Sequence, residues 1–542
     1  MVLVSPTTSG SSVETEFAAD LRRIRPELAD PYRAALPAAR AAVLARLWRG
    51  LCIDPLSQVA GRRQGRLETV ITLAGGCRLI GPTEVWDFSE PPPDLVISLD
   101  GHPYHHPAEL LAALRWPEAA RLEAEVAHSV AGLALARVGA TSVGRPLTGL
   151  ADRGLEEHEQ SVVDGHPLHP CCRNRTGFRA ADHLAYGPEH RPVVGLDLLA
   201  VPAARCLVRG VWPEELRVAD KLLLPVHPWQ SAHVLPRHGL APRELGVLRA
   251  RPLMALRTLA PVGLAWQVKT ALSTQLTSAV RDISGGSVQS SVAVSAFLHG
   301  ALGQLGGALR LQTTRAAAAV MIDGEPHPDL AAVIRDCPSA SLRPGETVLP
   351  VATLTARPPE GGCPPLCALA ASAPVAWLAD FAALAIPPLV TLLAWGIALE
   401  AHEQNLLLVL ADGRPQQLIY RDLADIRLCP TRLAAAGLPC PAIPGRMRAT
   451  DAELRAKLFA TFIATTMTRL VTTLAKHAER RRLWSTVAIQ VRRAYAAAPD
   501  MPATRADQRA LLSEPIPTKP LTLMRLDPST VEWAYQPNPF TD

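Results

Sequence analysis

Apolar residues recur every three or four positions over residues 13–60, as in ALPAARAAVLARLWRGL, which is typical of amphipathic helices. Residues 66–98 carry short apolar runs such as LVISL and predict strands. The helical spacing returns over residues 107–136 and again over residues 451–495. We expect the N-terminus, residues 1–14, to be a disordered tail.

The middle of the chain has strand patterns interrupted by turn residues. The segment LLLPVHPWQ predicts a strand that ends at His227-Pro228, and residues 266–271 alternate as a strand does. Thr277 and Ser278 predict a turn into a helix that their hydroxyls would cap. The later segments SVAVSAFL and LRLQTT have strand composition, whereas GHPYHHP at residues 101–107 predicts the start of a helix.

An uncharged stretch of 19 residues, FAALAIPPLVTLLAWGIAL, imitates a membrane span at residues 381–399. Pro387 and Pro388 interrupt it, so we expect two buried helices there and no membrane contact. The segments that follow, GIALEAHEQNLLLVL and LIYRD, predict a helix end and two strands joined by the turn ADGRP.

Composition narrows the class of protein. With 542 residues, 48% of them hydrophobic and 19% charged, the chain suits a soluble globular protein with several lobes. A net charge of +5 does not favour nucleic-acid binding. The N-terminus lacks the pattern of a secretory signal, and the ten cysteines form no paired CxxC framework, so we expect reduced thiols in the cytoplasm. Cys171-Cys172 or Cys363 with Cys367 could alternatively bind a metal.

The segment with the most candidate functional side chains is residues 164–178, DGHPLHPCCRNRTGF. His166 and His169 each precede a proline, which disfavours helical backbone and predicts a stiff loop with imidazoles at fixed spacing. Arg173 and Arg175 add two guanidinium groups suited to phosphate or carboxylate oxygens. We interpret this loop as functional, although single histidines in loops are more often ordinary surface residues.

Two further regions carry charge among apolar residues. Arg257, Lys269 and Arg281 lie in or beside apolar strands, where a cation is costly to bury without an anionic partner. A polyphosphate is one such partner, and scattered carboxylates are the alternative. Glu400, Asn405 and Asp422 lie near the ends of paired strands and offer hard oxygen ligands that suit Mg²⁺, unless they are solvated loop residues.

The chain resembles the NRPS-independent siderophore synthetases, the IucA/IucC aerobactin-synthetase-like family. The resemblance rests on EQSVVDGHPLHPCCRNRTGF, LLLPVHPWQ, RTLAP with VKTALSTQLTSAVR, GIALEAHEQNLLLVL with RD, and PTKPLTLMRL with NPF. It spans roughly residues 115–540, in order. It implies an α+β cupped-hand fold with a thumb-like lobe at residues 15–150, a fingers lobe at 151–370 and a palm at 371–542.

The resemblance also implies an activity. Family members use ATP to adenylate a carboxylate, often of citrate, with release of pyrophosphate, and an amine, hydroxylamine or hydroxyl then attacks the acyl-adenylate. The expected partners are a polycarboxylate, an amine-type nucleophile, ATP, Mg²⁺ and a second copy of the chain in a homodimer, with neither nucleic acid nor membrane.

By the same resemblance, each candidate residue receives a role. The catalytic residues would be His169, Lys269 and Arg281. The ATP site would comprise His166, His169, Arg173, Arg257, Thr258, Lys269, Thr277, Ser278 and Arg281. Glu400, Asn405 and Asp422 would hold Mg²⁺, and His402, Gln404 and Arg421 would bind the carboxylate substrate.

The sequence departs from the family pattern at several positions. Arg173 replaces a usual lysine, Ala255 a serine, and Asp425 the glycine of RDxxG, while SVQSSVAVS replaces an Asn-Gly-Pro-like stretch. Thr465-Thr466 replaces an Asn-His pair. These changes leave two alternatives to a synthetase open. One is a non-catalytic homologue that binds nucleotide or citrate. The other, disfavoured by the cysteine count, is a ferric-siderophore reductase with an iron–sulfur cluster.

Overall fold

The computed structural model describes residues 10–85, 87–142, 149–359 and 361–541. Its first helix begins at Gly10, so the predicted disordered tail of residues 1–14 is wrong for residues 10–14, and residues 1–9 lie outside the described residues. The helix extends this far because Glu14 is buried and accepts hydrogen bonds from Arg40 (2.9 Å) and from the ring of His106 (3.1 Å).

The N-terminal part packs helices against a five-stranded antiparallel sheet with the order β1-β2-β3-β4-β5. Trp48, fully buried on the second helix, lies at the centre of this core. The predicted helices and strands of this region are confirmed. Their bounds are α1 Gly10–Ile24, α2 Ala29–Ile53, β1 Val59–Gln64, β2 Glu68–Leu73, β3 Arg78–Pro82, β4 Ile97–Leu99, β5 His102–Tyr104, α3 Pro107–Leu114 and α4 Ala120–Ser142.

A nine-stranded antiparallel sheet dominates the middle of the chain, with the order β7-β16-β17-β12-β11-β10-β6-β9-β8. A separate two-stranded hairpin, β13 and β14, follows β12. The bounds are α5 Leu155–Gln160, α6 Ala180–Tyr186, β6 Val194–Pro202, β7 Cys206–Gly210, β8 Arg217–Val218, β9 Lys221–Val226, α7 Pro228–His233, β10 Glu244–Pro252, β11 Thr258–Pro261, β12 Trp266–Thr270, β13 Leu272–Leu276, β14 Ala279–Arg281, α8 Gly285–Gly303, β15 Leu309–Leu311, β16 Thr314–Ile322 and β17 Glu325–Asp336.

Two predictions for this region are wrong. Thr277 and Ser278 form the turn of the hairpin and do not cap a helix, because the chain continues into β14 and α8 begins only at Gly285, capped by Ser284. The segment SVAVSAFL lies inside α8 and is not a strand. The buried residues Val294, Leu298 and Ala301 of α8 fall at helical spacing and pack into the C-terminal core, which outweighs the strand propensity of valine.

The C-terminal part combines a four-stranded sheet, β15-β21-β20-β18, with a helical layer. The predicted strand pair around the turn ADGRP is confirmed as β20 and β21. The bounds are β18 Glu346–Pro350, α9 Val351–Thr355, α10 Pro365–Leu369, α11 Pro374–Ala394, β19 Ile397–Ala398, β20 Leu406–Ala411, β21 Arg414–Tyr420, β22 Arg427–Leu428, α12 Pro430–Ala435, α13 Asp451–Leu458, a π-helix Phe459–Met467, α14 Thr468–Leu474, α15 Arg480–Ala497, α16 Pro502–Ser513, β23 Ile516–Thr518, α17 Leu523–Leu526 and β24 Ala534–Gln536.

The apolar stretch that imitates a membrane span is one helix, α11, and not the two helices predicted. Pro387 and Pro388 lie inside it, and the hydroxyl of Thr391 donates to the carbonyl of Pro387 at 3.0 Å. Helix α11 is long and apolar enough to span a membrane, but 56% of its most apolar stretch is buried within the fold, as in the core helix of a globular protein. The packing of α11 against α15 and β21 therefore overrides the helix-breaking tendency of the prolines.

The hydrophobic cores cross the predicted lobe boundaries. Strands β15 and β18 come from the predicted fingers segment but pair with β21 and β20 of the C-terminal part. The C-terminal helix α17 instead contributes Leu523 and Leu526 to the N-terminal core. The boundaries themselves stay a prediction, while the α+β class follows from these sheets and helices.

Candidate active site

One cleft of about 270 Å³ brings together both groups of candidate residues. The loop of residues 164–178 and the hairpin β13-β14 meet the segment after β19, the end of β21 and the segment between β23 and α17 around it. Of the predicted site residues, the cleft is lined by His166, His169, Arg173, Arg257, Lys269, Thr277, Ser278, Arg281, Glu400, His402, Gln404, Asn405 and Asp422. Thr258 and Arg421 are not among the residues that line it.

The two histidines of the central loop present neutral N–H groups. The residue before a proline is extended, and in each case the Nδ1 atom accepts the backbone N–H two residues further on, Leu168 for His166 (3.2 Å) and Cys171 for His169 (2.9 Å). The proton of each ring therefore belongs on Nε2. Burial lowers the pKa of His169 to about 3, and its Nε2 is buried without a hydrogen-bond partner among the described residues. His169 is thus a neutral donor that the protein itself leaves unsatisfied.

The same motif recurs outside the cleft, where the Nδ1 atom again accepts a backbone N–H. His106 and His227 accept the N–H of Ala108 and Trp229 and so cap α3 and α7, which confirms the helix predicted to start in GHPYHHP. His227 is fully buried and does not line the cleft. The local His-Pro geometry is therefore general, and only its location distinguishes His166 and His169.

Arg173 has a structural task that the sequence did not reveal. Its side chain donates to the carbonyls of Val163 and Val162, each at 2.6 Å, and lies 3.6 Å from the carboxylate of Glu189. The chain comes close here because Gly165 has a φ of +69° and a Cβ atom would lie 2.4 Å from the carbonyl oxygen of Cys172. Although Arg173 borders the cleft, its guanidinium holds the loop closed and is not free for a phosphate.

Thr258 and Arg421 also differ from their predicted roles. Thr258 is buried in β11, where its backbone pairs with that of Lys269 in β12. Arg421 makes a two-pronged ion pair with Glu159, which is completely buried, and donates to the carbonyl of Gln404 at 3.0 Å. Arg421 therefore holds the substrate-side segment in place and is not exposed to a substrate.

The first wall of the cleft, defined by Arg257, Lys269 and Arg281, carries excess positive charge. Arg257 is only 8% exposed and donates to the backbone carbonyls of Arg281 and Asp282. Within the described residues, no carboxylate oxygen lies within 4.0 Å of the side-chain nitrogens of Arg257 or Arg281. Burial, followed by the charge of Arg281, lowers the pKa of Arg257 to about 9. Salt bridges to scattered acids therefore do not account for these two guanidinium groups.

Lys269 differs because it has a carboxylate partner. Its ammonium donates to both oxygens of Asp422 at 2.8 and 2.9 Å, and Arg335 reaches the same carboxylate at 3.2 Å. Burial lowers the pKa of Lys269 to about 7, against the opposing effect of Asp422. Asp422 is thus shared by Lys269 and Arg335, and its charge also acts on Arg257. Within the described residues neither Arg257 nor Arg281 has a carboxylate within 4.0 Å, which leaves this wall suited to an added anion.

The second wall of the cleft, defined by Glu400, Asp425, Lys457 and Lys519, is internally neutralised. Glu400 accepts from Lys519 at 2.6 Å and from Lys457 at 3.2 Å, and Lys457 also reaches Asp425 at 3.2 Å. Burial alone would raise the pKa of Glu400, but the two lysines hold it well below its usual range. Asp425, which replaces the glycine of the family's RDxxG, thus adds a carboxylate to this wall.

The predicted magnesium ligands share the cleft but are already engaged. Glu400 and Asp422 are each held by two cations, as described above. The Nδ2 atom of Asn405 donates to the carbonyl of Glu400 at 3.1 Å, so its amide oxygen is the atom it can offer. Two carboxylates and an amide are the hard oxygen donors that Mg²⁺ takes, and this ion commonly completes its shell with water and phosphate oxygens. The donor set therefore fits Mg²⁺. Binding of the ion would require the lysines that now hydrogen-bond to Glu400 and Asp422 to release one oxygen of each carboxylate.

The remaining candidates near the second wall are neutral. Burial lowers the pKa of His402 to about 4, and its Nε2 atom lies 3.7 Å from Glu400. Gln404 lines the cleft beside it. Thr465 reaches the cleft from the π-helix, and its hydroxyl donates to the carbonyl of Ala460 at 2.9 Å. These groups suit hydrogen bonding to a polar substrate.

Sequence reasoning missed the lysines that neutralise the second wall and also Arg335, which shares Asp422 with Lys269 of the first wall. A signal existed, because only Lys221, Lys269, Lys457, Lys476 and Lys519 are lysines among 55 basic residues, and three of these five lie at the cleft. In a sequence that uses arginine for nearly all its basic residues, a lysine is a candidate for a specific role at a functional site.

Arg525, in the quoted segment PTKPLTLMRL, was also missed. It donates to Glu125 at 2.8 Å and to the carbonyl of Ser278 at 3.0 Å. It thereby joins the hairpin turn to α4.

Comparison with known proteins agrees with this architecture. Residues 154–356 match the IucA / IucC family, and residues 375–529 match the family described as ferric iron reductase FhuF-like transporter. The rhizobactin siderophore biosynthesis protein RhbF of Rhizobium meliloti is 27% identical over 60% of this chain and 62% of its own length. The L-2,3-diaminopropanoate–citrate ligase of Staphylococcus aureus is 28% identical over 50% of this chain and 54% of its own length. The chain thus spans only about half to three-fifths of these curated relatives.

Solved structures show the fold over nearly the whole chain. The ATP-bound aerobactin synthetase IucA of Klebsiella pneumoniae superposes with a TM-score of 0.75 at 18% identity, over 93% of this chain and 99% of that chain. The predicted synthetase fold and the family resemblance are therefore confirmed.

Proposed function

We propose that the chain is a member of the IucA/IucC family, whose model matches residues 154–356, and that it is an ATP-dependent siderophore synthetase. It adenylates a carboxylate, with citrate or a citrate derivative as the first candidate, and releases pyrophosphate. It then joins the acyl group to an amine, hydroxylamine or hydroxyl and releases AMP. The names of the relatives, a siderophore biosynthesis protein and a citrate ligase, support this class of reaction.

The observation that carries the proposal is the pair Arg257 and Arg281. Both face the cleft, and neither has a carboxylate partner within 4.0 Å among the residues described. Arg257 is buried and Arg281 is half-buried. A cation removed from water without an internal counter-charge destabilises a fold unless an external anion compensates it. A triphosphate is an anion of sufficient charge for these two groups and Lys269 together.

The first chemical step places negative charge on phosphate oxygens. A carboxylate oxygen of the substrate attacks the α-phosphorus of ATP, a P–O bond forms, and the bond to the β-phosphate oxygen breaks to release pyrophosphate. Arg257, Arg281 and Lys269 compensate the charge on the oxygens, and the Nε2–H of His169 donates to one of them. Thr277 and Ser278 in the hairpin turn supply neutral donors. His169 cannot act as a cation here, because its pKa of about 3 keeps it neutral.

The second step needs little from charged side chains. The nucleophile attacks the acyl carbon, its bond to carbon forms, and AMP leaves with the bonding electrons while the nucleophile loses a proton. His402 and Gln404 hold the polar substrate beside the first wall, and neutral groups suit this task because they do not compete with the phosphate for the cations. Positioning of two bound reactants supplies most of the rate gain.

Mg²⁺ would be held by Asp422, Glu400 and the amide oxygen of Asn405, and it would neutralise phosphate charge when bound with ATP. We further propose a homodimer that acts in the cytoplasm.

A carboxylate screen tests the proposal. Purified protein with ATP, Mg²⁺ and hydroxylamine is incubated with a panel of polycarboxylates, and pyrophosphate, AMP, ADP and hydroxamate are measured. We expect carboxylate-dependent release of pyrophosphate and AMP in equal amounts, with no ADP. Arg281→Gln should slow this release by about 10²–10³-fold, whereas Arg249→Gln, at an exposed position of β10, should not. Formation of ADP would contradict adenylation.

Two alternatives have distinct outcomes in the same experiment. Tight ATP binding with no turnover on any carboxylate would favour a non-catalytic homologue, as the departures at Ala255 and Thr465 suggest. The match of residues 375–529 to a ferric iron reductase-like family motivates the second alternative. That segment contains only Cys429 and Cys440, too few thiolates for an iron–sulfur cluster, and we therefore do not propose a reductase.

A further inference from the structure

A cluster of two histidines and an aspartate lies on the middle part of the chain, away from the residues that line the cleft. His238, His327 and Asp329 each offer one ligand atom, and these atoms all lie within 4.8 Å of one another. The Nε2 atom of His238 is 3.3 Å from Asp329 Oδ2, and the Nδ1 atom of His327 is 4.0 Å from the same oxygen. We propose that this cluster is a binding site for a first-row divalent transition-metal ion such as Zn²⁺.

The distances suit such an ion. Zn²⁺ binds imidazole nitrogen and carboxylate oxygen at about 2.0–2.2 Å in tetrahedral sites, so neighbouring ligand atoms lie roughly 3.3 Å apart. The His238–Asp329 separation already has this value, whereas the His327–Asp329 separation of 4.0 Å would have to shorten when an ion binds. Two imidazoles and one carboxylate favour transition ions over Mg²⁺ or Ca²⁺, which prefer oxygen ligands.

The chemistry of the three side chains also fits. His327 belongs to the His-Pro motif, and its Nδ1 accepts the backbone N–H of Asp329 at a long 3.3 Å. The lone pair is therefore on Nδ1, which is the ring nitrogen nearest the proposed ion. When the ion binds, His327 loses only the long hydrogen bond from the backbone N–H of Asp329. His238 would lose its Nε2 proton to solvent when the ion binds, as is usual for metal-ligating imidazoles.

The carboxylate is fixed by neighbours, as metal ligands commonly are. The Oδ1 atom of Asp329 accepts from the hydroxyl of Ser273 at 2.6 Å, which leaves Oδ2 for the ion. Gln230 donates to the backbone carbonyl of Asp329 at 3.0 Å and accepts from the backbone N–H of Ser273 at 2.8 Å. This arrangement joins α7, β13 and β17 at one point.

The site is open to solvent on one side. The side chains of His238, Asp329 and His327 are 17%, 26% and 28% exposed, so an ion can enter and water can complete its shell. The ion would hold the segment after α7 to β17, and Asp329 of β17 in turn binds Ser273 of the hairpin that presents Thr277 and Ser278 to the cleft.

Metal titration of the full chain tests the proposal without any nucleotide. A second group of potential ligands, Cys363, Cys367 and His477, would also take Zn²⁺, so the test uses the background variant C363S/H477Q. Chelator-treated protein is titrated with Zn²⁺ against a chromophoric chelator, and Co²⁺ is titrated separately while visible absorption is recorded.

We expect one Zn²⁺ per chain in the background variant, and at least a tenfold weaker affinity after His238→Gln or His327→Gln. The Co²⁺ bands should disappear in the same variants. His299→Gln, at an exposed histidine of α8, is the matched control and should bind as the background does. Absence of Zn²⁺ binding in the background, or unchanged affinity in both histidine variants, would overturn the proposal. Because the result depends on metal alone, it is independent of whether the chain adenylates a carboxylate.

Discussion

The two walls of the cleft solve the problem of buried charge in opposite ways. On the second wall, Glu400 and Asp425 are matched by Lys457 and Lys519, so the charges compensate one another within the protein. On the first wall, Arg257 and Arg281 have no carboxylate within 4.0 Å in the described part of the chain, and Asp422 is the partner of Lys269 and Arg335.

This difference in charge pairing indicates that the first wall is the one suited to bind an anionic ligand. A matched pair stabilises its surroundings and resists an incoming ion, whereas an unmatched buried cation lowers stability until an anion arrives. Residues held in this way at active sites commonly sacrifice stability for activity. Substitutions on the two sides should therefore affect different quantities, and four predictions test this.

The largest effect is expected from a matched pair behind the second wall. Arg421→Gln leaves the completely buried Glu159 without its counter-charge, and we expect a loss of about 3–5 kcal/mol in the free energy of unfolding. Urea unfolding followed by circular dichroism measures it. Arg249→Gln should change the same quantity by less than about 0.5 kcal/mol. A loss below about 1 kcal/mol in Arg421→Gln would show that the pair is not structural.

A substitution on the first wall, where the cations lack carboxylate partners, should lower activity without lowering stability. Arg281→Gln removes a cation from the transition state, and we expect the rate of pyrophosphate release to fall by about 10²–10³-fold, or roughly 2.7–4 kcal/mol. The urea midpoint should stay the same or rise, because no internal partner is lost. If Arg281→Gln instead lowered the urea midpoint and left the rate of pyrophosphate release unchanged, Arg281 would be a structural residue and the contrast between the two walls would be wrong.

A smaller effect is expected from the neutral donor. His169→Ala should slow pyrophosphate release by roughly 10- to 100-fold, the value of about 1.5–3 kcal/mol for a hydrogen bond to a charged group. His169→Gln, which keeps an N–H donor, should retain more of the rate. With a pKa of about 3, His169 should add no pH dependence between about pH 5 and 9. A steep His169-dependent pH profile would instead indicate a proton-transfer role.

The smallest effect concerns pH. The pKa of Lys269 is lowered to about 7 by burial, so its ammonium is present below that pH and is lost above it. The affinity for ATP should therefore fall as the pH rises above about 7, by at most tenfold per unit for one proton. Calorimetric titration with ATP at several pH values measures the slope. Lys269→Arg keeps its charge and should flatten the profile, and equal slopes would assign the dependence to another group.

Local geometry at the central loop was predictable from the sequence. A histidine before a proline has extended backbone, and its Nδ1 then meets the N–H two residues on, as it does at His166 and His169. The same rule holds at His106 and His227, which lie outside the cleft. The His-Pro pattern therefore indicates which ring nitrogen of the histidine carries the proton, but it does not indicate whether the histidine lies in the cleft.

Errors arose where distant contacts outweighed local preference. The proline pair of α11 does not divide the helix, because the surrounding core holds it together, and the valines of α8 are helical because that face is buried. Arg173 was expected to bind ATP because it follows the histidines, but its partners are the carbonyls of Val162 and Val163. No spacing rule in the sequence specifies which acceptor a long side chain will reach.

By itself, the sequence determined the ordered motifs, the helices and strands with strong periodicity, and the groups able to hold phosphate or Mg²⁺, because these depend on residue type and on neighbours within a few positions. Only the tertiary structure decided which cations keep a carboxylate and which do not. Glu159 and Arg421 are 262 positions apart, and Lys269 and Asp422 are 153 apart. Charge pairing is set by distance in space and by burial, and both are fixed only when separate segments pack together.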